Sequence, residues 1–207
     1  MRLQFCRQFV EMLTENPDLP NELLMSDEAH FHLHGTVNKQ NFRYWSAANP
    51  HKLHQRPTYD PKVTVRCAVW SRGVTGPYFF GDEDAKAILV TSQPYTEMIN
   101  ELLSPNLPPN NGNLLFQQDG ATVHMAVISS IAALRCLFPE RAISRFGDVT
   151  WPLRSPDLTT SDFFLWGYLK SKVYSTRPTD LNGLKGNLRG KKSPEFQKKH
   201  FKPLCAP

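Results

Sequence analysis

Three observations in the sequence predict an α/β fold. Residues 63–70 (VTVRCAVW) and 77–80 (PYFF) are short, rich in β-branched and aromatic residues, and separated by the glycine-bearing turn SRGVTG, as in a strand pair. Residues 113–119 (NLLFQQD) read as a further short strand closed by an acid, with a helical run, MAVISSIAALRCLF, soon after. Residues 160–174 carry Leu165, Trp166, Leu169 and Val173 at the spacing of one helix face. A strand meander followed by strand and helix units is the order of a mixed sheet covered by helices.

The remaining elements follow from local pattern. Leu3, Phe5, Cys6, Phe9, Val10 and Leu13 lie near helical spacing, so residues 3–13 predict a short amphipathic helix ended by Asn16-Pro17. Residues 22–27 predict a strand in which Leu23, Met25 and Asp27 share a face and Asp27 lies at or near the carboxyl end. The alternating run His30 to His34 then meets Gly35-Thr36, which predicts a turn into a hairpin through NKQNFRYW. Residues 81–112 read as helix and loop, with a Pro- and Asn-rich connection at 105–112, and RAISR at 141–145 as a strand or short helix.

Length and composition bound the possibilities. A chain of 207 residues suits one domain with appended segments, and 40% apolar residues supply a core. The net charge of +5 is unevenly placed. Residues 1–184 hold 17 Lys and Arg against 18 Asp and Glu, while residues 185–207 hold seven Lys and Arg against the single Glu195. The tail is basic and the rest near neutral, so overall charge is a weak argument for a nucleic-acid partner. Cys6, Cys67, Cys136 and Cys205 form no Cys-x-x-Cys pair, which argues against a zinc knuckle and a disulfide framework. The amino terminus lacks a signal-peptide apolar region and no run approaches about 18 apolar residues, so an intracellular, reducing compartment without a membrane span is expected.

Asp27, Asp119 and Asp162 carry the chemistry. Two acids at the ends of strands become neighbours if those strands pair in parallel, because sites in open α/β sheets gather beyond the carboxyl ends of strands. The third would come from the helix that begins near Thr159 or Thr160, with either threonine as N-cap and Asp162 in the first turn on the packed stripe. Asp157, after Pro156, competes for that role or simply shapes the turn. Glu28 points to the other face from Asp27. His30, His32 and His34 share a strand face, a spacing that suits a transition metal or half-exposed strand residues. Trp45, Trp70, Trp151 and Trp166 read as core in preference to base-stacking platforms.

The stretches SDEAHFHLHG, KQNFRYW, VTVRCAVWSRGVTGPYFF, FQQDGATVH and WPLRSPDLTTSDFFLWGYLKSKVY occur in that order over most of residues 3–181. Together they resemble the catalytic domain of mariner-type DNA transposases, with their Asp-Asp-Asp/Glu triad. The resemblance implies a ribonuclease H-like fold, a mixed five-stranded sheet flanked by helices. It also implies a nuclear endonuclease and strand transferase that uses two Mg²⁺ or Mn²⁺ ions, acts on transposon ends and target DNA, works as a homodimer, and needs no small-molecule cofactor. By position, Asp27, Asp119 and Asp162 are the three metal-binding catalytic acids. Lys39, Arg43 and Arg154 flank the motif segments and His124 follows Asp119 by five residues, so these four are candidate DNA contacts, with a surface charge or structural hydrogen bond as the alternative.

Residues 1–19 are then a helical lead-in, 20–176 the catalytic domain, and 177–207 a basic tail, disordered or divergent. A second reading is a truncated, catalytically inactive nucleic-acid-binding remnant of a transposable element. Its motives are that the chain begins just before the catalytic domain, without the end-reading helix-turn-helix region, and that the sequence after Asp180 leaves the pattern. A third is a cellular ribonuclease H-like nuclease acting on RNA.

Overall fold

A computed structural model describes residues 1–35, 47–48, 60–81, 91–109, 112–119, 128–153 and 155–191. The strands are β1 (Leu23–His32), β2 (Lys62–Trp70), β3 (Gly73–Phe80), β4 (Leu115–Gln118), β5 (Ala142–Ser144) and β6 (Val149–Thr150). They form one sheet in the order β3-β2-β1-β4-β5-β6. The β1–β2 and β2–β3 pairs are antiparallel, whereas β1–β4, β4–β5 and β5–β6 are parallel. The sheet is mixed, as expected, but among the described residues it has six strands where five were expected; the sixth is the two-residue β6, too short to leave a periodic signal.

The longer helices among the described residues are α1 (Arg2–Glu15), α2 (Ser92–Met98), α3 (Ile128–Leu137), α4 (Trp166–Val173) and α5 (Leu181–Lys191). A π-helical turn, Ile99–Leu103, extends α2, and a second, Ser161–Leu165, leads into α4. Alternation along the strands sends successive side chains to opposite faces. On one face Phe31, Val65 and Cys67 pack under Leu165, Trp166 and Leu169. On the other, Leu24, Phe80 and Phe116 pack against Tyr95, Met98 and Phe138. Helix α1 is held by Phe5, edge-on to Trp151 at 5.0 Å between ring centroids, while Leu3 and Val10 remain exposed. Trp151 and Trp166 are core residues, as the sequence predicts; Trp45 lies outside the described residues.

Three expectations change. Strand β1 runs on to His32 because its whole length from Met25 pairs with β2, so Asp27 lies inside a strand and not at its end. Strand β3 begins at Gly73, directly after a two-residue Ser71-Arg72 connection, since Gly73 takes φ 130° without a Cβ penalty. The ordered fold also continues past residue 176. Asp180 accepts the Gly183 amide through Oδ1 at 2.7 Å and starts α5, whose Leu184 and Leu188 are buried over β2. Residues 192–207, and the hairpin expected through NKQNFRYW, lie outside the described residues.

Candidate active site

The parallel β1–β4 pair brings the first two acids together. Its register runs Leu23–Leu115, Leu24–Phe116, Met25–Gln117 and Ser26–Gln118, so Asp27 and Asp119 each follow the last pair by one residue. Both fall on the face covered by α4. Strand β4 stops at Gln118 while β1 continues to His32. Asp27 is only 6% exposed, and Asp119 is half-buried at the end of its strand.

The third acid enters from the helix. Asp162 lies in the π-helical turn that precedes α4, a feature found often at functional sites. Leu165, Trp166, Leu169 and Val173 are buried as the stripe predicts, whereas Asp162 stands at its exposed start. Thr160 is the residue before the turn, and Thr159 makes the side-chain contact, its Oγ1 donating to Asp162 Oδ2 at 2.8 Å. Asp157 looks elsewhere, accepting Arg2 Nη2 at 2.5 Å on the surface.

Electrostatics ties the trio together. Burial, and then the charge of Asp162, raises the Asp27 carboxyl from an ordinary 3.8 to about 6. The Trp166 indole, donating to Asp27 Oδ2 at 2.7 Å, and the Arg66 guanidinium act in the opposite sense. Asp162 is also raised, by partial burial and by Asp119, against the Thr159 hydrogen bond. Asp27 and Asp162 therefore hold their protons more tightly than free carboxyls, and a cation is what such a cluster favours.

Among the described residues, no group of three or more His, Cys, Asp or Glu side chains is placed to hold a metal ion. An all-carboxylate donor set nevertheless fits Mg²⁺ or Mn²⁺, because a hard ion that keeps several waters is held by one or two carboxylates. The three histidines do not share one site: His30 stands apart from His32 and His34. His30 Nδ1 lies 3.0 Å from Thr64 Oγ1, while His34 Nδ1 and His32 Nδ1 lie 2.7 and 3.6 Å from Asp60. Lys39, Arg43, His124 and Arg154 lie outside the described residues.

Two supporting residues escape the sequence reading. Arg66 is fully buried in β2 on the face opposite Asp27, and an arginine inside the apolar run VTVRCAVW was the signal for it. Trp166 reads correctly as core, but its polar edge is committed to Asp27.

Solved structures of a mariner transposase share this architecture. The mariner Mos1 paired end complex with Mg aligns with a TM-score of 0.68 and 17% identity over 96% of this chain and 56% of that one. The Mos1 transposase catalytic domain with Raltegravir and Mg gives 0.66 and 14% identity, over 96% of this chain and 84% of that one. The crystal structure of the catalytic domain of Mos1 mariner transposase gives 0.54 and 15%, over 98% of this chain and 91% of that one. This chain spans 56% to 60% of the transposase chains in the two paired-end complexes with Mg and with the left transposon end. No protein-family model and no curated protein matches the sequence. At these identities the shared property is the fold: the chain has the ribonuclease H-like fold of the mariner transposase catalytic domain.

Proposed function

We propose that this chain is a mariner-type transposase catalytic domain that cleaves DNA and transfers strands in the nucleus, acting on transposon ends and target DNA as a homodimer. The observation that carries the reading is the β1–β4 register, which sets Asp27 beside Asp119 under the helix start that bears Asp162. Asp27, Asp119 and Asp162 would hold two Mg²⁺ or Mn²⁺ ions. Bound there, the ions would supply Lewis-acid stabilisation of charge on the phosphate oxygens during cleavage. The chain's own part is to present ionised carboxylates in fixed positions. Trp166 Nε1 commits one oxygen of Asp27 to the helix, and Thr159 Oγ1 does the same for Asp162, so neither carboxylate is free to rotate. Asp27 must lose its proton to serve, and the Trp166 donor and Arg66 charge favour that loss.

Nicking of supercoiled plasmid in Mn²⁺ tests the reading. The unaltered protein is expected to nick, and Asp27→Asn and Asp119→Asn each to lose at least about 100-fold, since each removes a metal-binding carboxylate. Equal nicking by both variants would overturn the site. Preference for an RNA–DNA hybrid would move the assignment to a ribonuclease. The surface also admits a non-catalytic reading: residues 163–191 hold Lys170, Lys172, Arg177, Lys185, Arg189 and Lys191 against Asp180 alone. Binding that weakens steeply with salt and is never accompanied by nicking would favour it.

A further inference from the structure

We propose that Arg66 and Tyr95 form a clasp behind the acid pair and are positioning residues for it; the proposal rests on the metal-site reading above. Ser26 and Gln118 are the last paired residues of β1 and β4, and each immediately precedes an acid. Strand alternation turns both away from the acid face, into the layer under α2. There Arg66 Nε donates to Ser26 Oγ at 2.8 Å, and the guanidinium carbon lies 4.9 Å from the centre of the Tyr95 ring. The Tyr95 hydroxyl in turn donates to Gln118 Oε1. A second arm of the guanidinium, Nη1, reaches Glu28 Oε2 at 3.5 Å. The route from Ser26 through Arg66 and Tyr95 to Gln118 thus closes, from behind, the strand pair that carries Asp27 and Asp119 in front.

The four residues are sealed from water, with Arg66 and Tyr95 at 0% exposure and Ser26 and Gln118 at 1%. A buried guanidinium gives up its hydration, and apolar replacements of such groups are often as stable, so bulk stability is a poor reason for this one. Geometry supplies a better reason. Asp27 is held on its other side by the long β2 ladder, with Cys67 opposite it, whereas β4 has only four residues and ends at Gln118. Strand ends open more readily than strand centres. Without the clasp, the end of β4 would move relative to β1, and Asp119 with it.

The test uses Tyr95→Phe, which keeps the ring and removes the hydroxyl, together with Arg66→Met and Arg66→Lys. Amide hydrogen exchange is read in metal-free protein, and Mn²⁺ affinity by electron paramagnetic resonance titration. Tyr95→Phe and Arg66→Met are each expected to speed exchange at Gln118 and Asp119 while leaving the centre of β2 unchanged. Each is expected to weaken Mn²⁺ binding roughly 10- to 100-fold, the usual range for groups that orient metal ligands. Arg66→Lys restores a donor and a charge and should recover part of the loss. The double variant should be no worse than the weaker single, because both act through one clasp.

Unchanged exchange in Tyr95→Phe would overturn the clasp. Faster exchange with unaltered Mn²⁺ affinity would also overturn it, by reducing it to a structural contact. Absence of Mn²⁺ binding by the unaltered protein would instead sink the metal-site reading, and exchange alone would then judge the clasp.

Discussion

Asp27→Asn is expected to abolish Mn²⁺-dependent nicking and, in the same protein without metal, to raise stability at neutral pH. The two effects have one origin. A carboxylate that is 6% exposed and sits near Asp162 is costly to ionise, which is why its carboxyl is raised to about 6. Between 3.8 and about 6 the folded protein keeps a proton that the unfolded chain has released, so stability falls as pH rises through that window and stays lower above it. A displacement of this size corresponds to about 3 kcal/mol when fully expressed, at roughly 1.4 kcal/mol per pH unit. Asparagine keeps an oxygen to accept the Trp166 indole and carries no charge. Urea unfolding at about pH 7.5 should therefore show the variant more stable by up to about 3 kcal/mol, with the gain gone near pH 4. Divalent cation should stabilise the unaltered protein and leave the variant nearly unmoved, since only the former binds it. A variant less stable than the parent at pH 7.5 would mean that Asp27 is held by partners that reward its charge.

Asp162→Asn is expected to lose nicking by at least about 100-fold, like the other two acids, whereas Asp157→Asn should retain it. The two aspartates are five positions apart, and the sequence allows either. Their surroundings separate them. Asp157 forms a surface ion pair with Arg2, the two side chains 58% and 52% exposed, a contact worth no more than about 1 kcal/mol. Asp162 is raised by partial burial and by Asp119, helps to raise Asp27, and is oriented by Thr159. Loss of activity in Asp157→Asn with retention in Asp162→Asn would reverse the assignment.

Much of this site was legible before the fold was known. Period-two and helical spacing located β2, the end of β4 and the α4 stripe, and a parallel pairing of two acid-bearing strands was the condition for Asp27 and Asp119 to meet. What pattern could not supply was pairing length. Nothing in residues 22–34 says whether the strand stops at Asp27 or continues to His32; the partner ladder of β2 decides that. The α5 helix was masked differently. Its Leu181, Leu184 and Leu188 have helical spacing, but Gly183, Gly186 and Gly190 lower the propensity and the surrounding Lys and Arg read as a tail. Burial of the leucines over β2 outweighs both. The Arg66–Tyr95 contact joins residues 29 positions apart and depends on how α2 lies on the sheet, which local patterning does not carry.

The central claim is that Asp27, Asp119 and Asp162 share a divalent cation. Crystals of the protein soaked in MnCl₂ and measured at the manganese absorption edge test it most directly. An anomalous peak bounded by oxygens of Asp27 and Asp119, with Asp162 beside it, is the expected result. A peak only at the His32, His34 and Asp60 group, or none at the aspartates at a concentration that supports nicking, would contradict the claim.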